Sequence, residues 1–142
     1  MTNLNFNDTL IPSDIHIFIL EDMRSIQEKI VTDLHKIGFT GRVTIASTLQ
    51  EAMDKYKESK PQFILSDWNL PDGEGVTFLE EIRQSNEFKE IPFMMMTTVD
   101  DVGDILKAMG LGADGYIVKP WSLDDLKNNI PFAYNKRVTI QP

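Results

Sequence analysis

The chain has 142 residues, enough for one domain with a hydrophobic core, and 42% of them are hydrophobic. Its formal net charge of −8 argues against nonspecific binding to nucleic acids or to anionic membranes. The chain contains no cysteine, which excludes disulfides, thiol catalysis and thiolate metal sites and is compatible with a cytoplasmic location. No apolar run approaches the roughly 18 residues that a membrane-spanning helix needs.

The predicted elements alternate between strands and helices along the chain. Residues 1–13 lack the basic start and apolar stretch of a signal peptide and are predicted to form a flexible leader. From residue 14 onwards, apolar runs typical of buried strands alternate with segments whose apolar residues recur at helical spacing. The predicted strands are 15–20, 42–46, 63–66, 93–97 and 115–118. A helix follows each strand: 25–37, a helix capped by Thr48, helices containing Phe78 and Val102, and a helix capped by Ser122.

This alternation predicts an α/β fold: a single-domain, doubly wound, five-stranded parallel sheet with five helices on its two faces. Pro131 is expected to stop the last helix, because proline has no amide hydrogen to donate within a helix. The predicted domain therefore occupies residues 14–131, and residues 132–142 are expected to be a tail.

Charged residues follow three of the predicted strands. Glu21 and Asp22 come after the first strand, Asp67 ends the third, and Lys119 follows the fifth. Parallel α/β sheets bind ligands just beyond the carboxyl ends of their strands, so these side chains are expected to meet at one edge. Two carboxylates about 5 Å apart repel each other by roughly 3 kcal/mol at an effective dielectric constant near 20. A divalent cation would offset that cost, and Mg²⁺ prefers oxygen ligands of this kind.

Taken singly, each of these residues has an ordinary structural explanation. Glu21 and Asp22 would complement the dipole of the following helix, Asp67 would be a solvated strand end and Lys119 a surface lysine. Their joint arrangement instead predicts phosphoryl transfer to a carboxylate, with Asp67 as the nucleophile. Mg²⁺ would be held by Asp22 and Asp67, and Glu21 would orient a bound water. Lys119 and Thr97, at the end of the fourth strand, would contact phosphoryl oxygens.

Four segments of the sequence resemble the receiver domain of response regulators, over about residues 15–130. The segments are ILED at 19–22, SDWNLPDGEG at 66–75, MMT at 95–97 and GADGYIVKP at 112–120. The beginning of the second segment is most similar to the chemotaxis branch, whose members are stand-alone receivers. The resemblance implies a flavodoxin-like strand order 2-1-3-4-5, of which this family is itself a known example; spacing and periodicity alone leave the order open.

The resemblance also implies an acceptor and its metal ligands. Asp67 would be the phosphoacceptor. Asp22, Asp67 and the backbone carbonyl of Asn69 would bind Mg²⁺ directly, and Glu21 would bind it through water. Glu21 stands where aspartate is more common in the family, a substitution that the family often has.

The resemblance also implies roles for Thr97, Lys119 and Tyr116, and two positions differ from the family pattern. Thr97 and Lys119 would contact the phosphoryl group, and Tyr116 would be the aromatic switch residue that moves with Thr97. Thr98 stands where a small residue is usual, so access of the phosphoryl group and dephosphorylation are expected to differ from the family pattern. Trp121 replaces the more common phenylalanine and is expected to be a larger apolar plug.

The implied phosphodonor is a histidine kinase, and the implied output is binding to another protein, such as a flagellar motor switch component. Partner binding would use the fourth helix, the fifth strand and the last helix; a phosphatase is a further candidate partner. The protein is expected to be a cytoplasmic monomer without nucleic-acid or membrane partners. Because few residues follow Pro120, a receiver without an output domain is expected, one that catalyses only its own phosphorylation and dephosphorylation.

Several alternatives remain open from the residues alone. A phosphate sink, or a receiver in a phosphorelay outside chemotaxis, would carry the same residues. A phosphatase of the haloacid-dehalogenase type also uses an aspartyl nucleophile, but it needs a second aspartate where this chain has Asn69. An FMN-binding protein would need a phosphate loop in place of Glu21 and Asp22. A receiver that works without phosphorylation is disfavoured, because all the residues for the chemistry are present.

Overall fold

The computed structural model describes residues 2–140 and the side chains of residues 2–138. Its strands are β1 (Asn3–Phe6), β2 (Thr9–Pro12), β3 (Ile17–Leu20), β4 (Val43–Ala46), β5 (Phe63–Ser66), β6 (Asn69–Leu70), β7 (Gly73–Glu74), β8 (Phe93–Thr97) and β9 (Gly115–Val118). Its helices are α1 (Arg24–Lys36), α2 (Leu49–Ser59), α3 (Gly75–Gln84), α4 (Val102–Gly110) and α5 (Leu123–Ile140). Within the described residues, no helix has both the length and the apolar character that crossing a membrane requires.

The central sheet has the strand order β4-β3-β5-β8-β9, which is 2-1-3-4-5 when its strands are numbered along the chain. All four pairings are parallel. The prediction of a doubly wound five-stranded sheet with five helices is therefore confirmed. The last residues of β3 and β5, Leu20 and Ser66, lie opposite each other. This register brings the residues that follow the two strands to the same edge of the sheet.

Each face of the sheet has its own apolar core. Ile17 and Ile19 point to the face covered by α1 and α5, whereas Phe18 and Leu20 point to the face covered by α2, α3 and α4. All four side chains are at most 1% exposed. A strand buried on both faces needs apolar residues at successive positions, and this is why the central strands can be predicted as unbroken apolar runs.

Two helices begin at the residues that the sequence predicts. In α2, Thr48 Oγ1 accepts a hydrogen bond from the amide of Glu51 at 3.0 Å. The Glu51 carboxylate in turn accepts from the amide of Ser47 at 3.1 Å. Before α5, Ser122 Oγ accepts from the amide of Asp125, and Asp125 Oδ2 accepts from the amide of Ser122. These bonds satisfy amides that have no partner within the helix.

The N-terminal residues form a hairpin, so the prediction of a flexible leader over residues 1–13 is wrong for the described residues 2–13. Strands β1 and β2 pair antiparallel across Asn7 and Asp8, whose φ angles of 50° and 73° suit a two-residue hairpin turn. Ile11 is fully buried in the core on the α1 and α5 side. Met1, the first residue of the predicted leader, lies outside the described residues.

Helix α5 continues through Pro131, so the prediction that this proline stops the helix is wrong. A proline inside a helix costs about 3 kcal/mol, because one backbone hydrogen bond is lost and the ring crowds the preceding turn. Packing on both sides of the proline offsets this cost. Helix α5 contacts β1, β2 and β9, and Ala133 is fully buried. The predicted tail is helical as far as Ile140, while residues 141–142 lie outside the described residues.

Candidate functional site

Three carboxylates meet at the carboxyl edge of the central sheet. Glu21 and Asp22 follow β3, and Asp67 follows the neighbouring strand β5. One oxygen atom of each lies within 4.8 Å of one oxygen of the other two. The backbone holds this arrangement, because the amide of Asp67 donates to the carbonyl of Leu20 at 2.9 Å. The predicted group of oxygen ligands is therefore present at the predicted edge.

Lys119 reaches this group from the end of β9. Its Nζ donates to Glu21 Oε1 and, at 3.0 Å, to Asp67 Oδ2. The amide of Lys119 donates to the carbonyl of Thr97 at 2.8 Å, and the peptide bond between Lys119 and Pro120 is cis. The ammonium group thus offsets part of the repulsion among the carboxylates.

Burial and hydrogen bonds together shift the pKa values of two buried ionisable groups of the site. Glu21 is 1% exposed, and this burial raises the pKa of its carboxyl although Lys119 and the amide of Met23 both favour the carboxylate. Burial by itself would lower the pKa of Lys119, but the hydrogen bonds to Glu21 and Asp67 outweigh it and leave the pKa raised. Lys119 is therefore charged at neutral pH, and Glu21 holds a proton more firmly than a glutamate in water.

Thr97 and Tyr116 both contact the backbone of Val99. Thr97 is fully buried, and its Oγ1 accepts from the amide of Val99 at 3.2 Å. The Tyr116 hydroxyl donates to the carbonyl of Val99 at 2.6 Å. Burial, with the carboxylates of Asp104 and Asp67, raises the pKa of Tyr116 to about 12, so the phenol keeps its proton. The predicted phosphoryl ligand and the predicted switch residue are thus joined through one residue that the sequence analysis does not identify.

The segment after Asp67 is held by its own hydrogen bonds. The amide of Trp68 donates to Asp67 Oδ1 at 2.6 Å, and its indole Nε1 donates to Glu74 Oε2 at 2.9 Å. A Cβ atom on Gly75 would lie 1.9 Å from the carbonyl oxygen of Asp67, so glycine is required where α3 begins. Asn69 begins β6 with an exposed side chain. The use of its carbonyl as a metal ligand stays a prediction.

The donor set fits a hard divalent cation. All three side chains offer carboxylate oxygens, which Mg²⁺ prefers, and the exposure of Asp22 leaves the group open to solvent. A bound cation could therefore keep several of its waters, as Mg²⁺ does in proteins. Glu21, Asp22 and Asp67 are the residues that would hold it.

An apolar groove of about 320 Å³ opens beside the carboxylates. Met23, just before α1, and Ile26, in its first turn, line one part of it, and Pro120 and Trp121 line another. Asp67 also lines this groove. The groove therefore leaves a route from solvent to the Asp67 carboxylate.

Gln27 is a neighbour of the site that cannot be recognised from the sequence. Its side-chain Nε2 donates to the carbonyl of Glu21 at 2.5 Å and to Ser47 Oγ at 3.1 Å. It thereby links the segment after β3 to the segment after β4. Its position in the first turns of α1 carries no signal of this role, because a glutamine on a helix is ordinarily a solvated residue.

Comparison with known proteins identifies the family. The response regulator receiver domain family matches residues 17–131. The phosphate regulon transcriptional regulatory protein PhoB of Escherichia coli (strain K12) is 32% identical over 110 residues, covering 78% of this chain and 47% of PhoB. Chemotaxis protein CheY-3 of Vibrio cholerae is 28% identical over 123 residues, covering 87% of this chain and 94% of CheY-3. The chain thus spans about half the length of PhoB and nearly all of CheY-3.

A solved structure agrees with this assignment. The chemotaxis protein CheY4 of Vibrio cholerae matches with a TM-score of 0.72 and 26% sequence identity, covering 80% of this chain and 92% of that chain. The family match covers most of the chain, and the strand order and the acidic edge of the sheet are those that the resemblance implies. This chain therefore belongs to the response-regulator receiver domains and is a CheY-like member of that family.

Proposed function

We propose that this protein is a phosphorylation-dependent switch in which Asp67 accepts a phosphoryl group from a histidine kinase in the presence of Mg²⁺. Receiver domains are phosphoacceptor signalling proteins of two-component systems, and membership of that family supports the proposal. The observation that carries it is the position of the Lys119 ammonium between Glu21 and Asp67, beside three converging carboxylates. Such a group of charges is costly to assemble unless a cation and a phosphoryl group bind to it.

In the proposed reaction, a carboxylate oxygen of Asp67 attacks the phosphorus of a phosphohistidine. A bond forms between that oxygen and phosphorus, the bond between phosphorus and the imidazole nitrogen breaks, and the released nitrogen takes up a proton. Bound Mg²⁺ would supply positive charge to the phosphoryl oxygens. Lys119 would pair with a second oxygen, and Thr97 would move towards a third and donate its hydroxyl hydrogen to it.

We propose that the signal leaves the site through Val99. Because Thr97 and Tyr116 both bind this residue, movement of Thr97 towards a phosphoryl group would change the contacts of Tyr116. Helix α4 follows directly and has two exposed apolar side chains, Val102 at 69% and Leu106 at 65%. The exposure of these side chains is evidence for a partner-binding surface formed by α4, β9 and α5, as the family resemblance implies.

The proposed partner is a component of the chemotaxis pathway, such as a flagellar motor switch protein. The match to CheY-3 over 94% of that protein supports this role. The comparable match to PhoB supports a second candidate, a receiver of another phosphorelay or a phosphate sink. In each case the protein would meet its kinase, and any phosphatase, in the cytoplasm.

Intact-mass spectrometry tests the proposed acceptor. After incubation with acetyl phosphate and Mg²⁺, the wild-type protein should gain about 80 Da, the mass of one phosphoryl group. Asp67→Asn should gain nothing. Asp100→Asn is the matched control, because Asp100 is an exposed aspartate after β8 and is not part of the acidic group. Equal labelling of Asp67→Asn and wild type would reject the assignment.

A binding assay separates the two candidate roles. Beryllofluoride with Mg²⁺, which mimics a phosphoryl group on a carboxylate, should increase binding to a purified flagellar motor switch component if the role is chemotactic. Leu106→Ser should reduce that binding without reducing phosphorylation. Binding that does not respond to beryllofluoride would favour the second candidate.

A further inference from the structure

Asp33 of α1 is a buried carboxylate that the proposed reaction does not use. Its side chain is 5% exposed. Trp121 Nε1 donates to Asp33 Oδ2 at 2.9 Å, and Lys29 Nζ donates to the same oxygen at 2.7 Å. Lys29 Nζ also lies 4.7 Å from the centroid of a Trp121 ring. A carboxylate, an ammonium and an indole therefore contact one another between α1 and the segment after β9.

The carboxylate form of Asp33 is favoured in this contact. Burial would raise the pKa of the Asp33 carboxyl, but the hydrogen bonds from Lys29 and Trp121 outweigh burial and lower it. An ionised acceptor makes a stronger hydrogen bond to the indole than a neutral one would. The contact between α1 and Trp121 is thus stronger than packing of the ring alone would make it.

The position of this contact links it to the acidic group. Helix α1 begins two residues after Asp22, and Trp121 comes two residues after Lys119. Asp33 lies near the C-terminal end of α1, so the contact joins the helix that follows Glu21 to the segment that carries Lys119. Trp121 and Ile26 also line the groove beside Asp67, so the same contact sets the distance between two of its sides.

We propose that Asp33 is a positioning residue of the site. It acts through Trp121 to hold the segment that carries Lys119, so that the ammonium stays between Glu21 and Asp67. The expected effect on phosphoryl transfer rests on the proposed function. The expected effect on the placement of Lys119 does not rest on the proposed function and can be measured separately.

The rate of phosphoryl uptake from acetyl phosphate with Mg²⁺ is the first test. Asp33→Ala and Trp121→Phe should each lower the rate roughly tenfold, because small displacements of a positioned group have effects of this order. Asp33→Asn keeps an oxygen acceptor for the indole and should retain most of the rate. All rates are measured well below the unfolding temperature of the least stable variant.

Tyr56→Phe is the matched control for Trp121→Phe. Tyr56 is 1% exposed and donates its hydroxyl hydrogen to Glu81 Oε2 at 2.7 Å, on the other face of the sheet. Its replacement also removes one hydrogen-bond donor from a buried ring. Tyr56→Phe should lower stability and leave the rate unchanged. A similar loss of rate in both variants would overturn the inference, since general loosening would then explain it.

A double-substitution experiment tests whether the effect passes through Lys119. In a Lys119→Ala background, Asp33→Ala should produce no further loss of rate. The same fold-loss in both backgrounds would overturn the inference, because Asp33 would then act by another route. If Asp33→Ala does not fold, Trp121→Phe replaces it in the same comparison.

Nuclear magnetic resonance provides a readout that does not depend on phosphorylation. The ε-methylene signal of Lys119, assigned with Lys119→Arg, should shift in Trp121→Phe and Asp33→Ala and stay unchanged in Tyr56→Phe. If the wild type takes up no phosphoryl group, the proposed function fails and this signal alone decides the inference. If the wild type is labelled but neither the signal nor the rate responds to Trp121→Phe, the inference alone fails.

Discussion

Lys119 supplies positive charge to the acidic group. It is the cation that the structure places against Glu21 and Asp67, and its side chain is only 10% exposed. A metal ion that binds the same carboxylates has to compete with this ammonium. The residue therefore lowers the cost of bringing the carboxylates together and also limits their affinity for metal.

Replacing Lys119 should consequently strengthen metal binding. Lys119→Ala should bind Mg²⁺ more tightly by on the order of tenfold, or about 1.4 kcal/mol, because the competing charge is gone. Calorimetric titration with MgCl₂ measures this change. Lys127→Ala, at an exposed position of α5, should bind Mg²⁺ like the wild type. Weaker Mg²⁺ binding in Lys119→Ala would contradict the competition.

The raised pKa of Glu21 predicts a pH dependence of metal binding. The carboxyl takes up a proton in the folded, metal-free protein at a pH above its ordinary value of 4.5. Protonation of Glu21 thus stabilises the metal-free fold, and this contribution is lost as the pH rises through the raised pKa. Mg²⁺ needs the carboxylate, so its affinity should fall as the pH is lowered through the same range.

Calorimetric titration across that pH range measures the effect. Glu21→Gln cannot lose a proton and should show a flatter dependence than the wild type. An equally steep dependence in both proteins would assign the proton to another group.

The residues of the acidic group could be predicted from sequence, whereas their supporting contacts could not. Glu21, Asp22 and Asp67 directly follow strands, and the carboxyl ends of parallel strands meet at one edge. The bonds from Trp121 to Asp33 and from Tyr116 to Val99 depend on side-chain conformations and on packing between distant segments. Neither contact can be predicted from the spacing of residues along the sequence.

At the scale of elements, the differences between prediction and structure have a common cause. Local rules predict a flexible leader and a helix end at Pro131, but packing overrides both. The N-terminal hairpin packs against the end of α1, where Phe6 stacks on Phe39 with ring centroids 6.0 Å apart. The signal that could have revealed the hairpin is Asn7-Asp8, a turn pair between two short alternating segments.

The hairpin is expected to contribute to stability through its buried face. Ile11→Ala should lower the free energy of unfolding by about 2–5 kcal/mol, because the side chain is fully buried and its removal leaves a cavity. Leu10→Ala, on the same strand but 55% exposed, should change it by about 0.5 kcal/mol or less. Chemical denaturation measures both. Equal, small losses would mean that the hairpin is not packed against the domain in solution.

In the molecule as a whole, buried charged side chains have different partners at the two edges of the central sheet. At the amino edge, the fully buried Asp114 is paired with Arg83 at 2.8 Å and with Arg137 at 2.8 Å. At the carboxyl edge, Lys119 pairs with Glu21 and Asp67, two of the three converging carboxylates. Cations thus pair with the buried carboxylate at one edge, whereas the excess of negative charge at the other edge provides a site for cations.

Chemical mapping of the modified residue shows whether Asp67 is the phosphoacceptor and whether it needs Mg²⁺. An acyl phosphate on an aspartate is reduced by borohydride to homoserine, with release of phosphate, so peptide mapping after acetyl phosphate treatment locates the modified residue. Homoserine is expected at position 67 when Mg²⁺ is present, and none is expected there when Mg²⁺ is removed with a chelator. Homoserine at another aspartate, or at position 67 to the same extent without Mg²⁺, would contradict it.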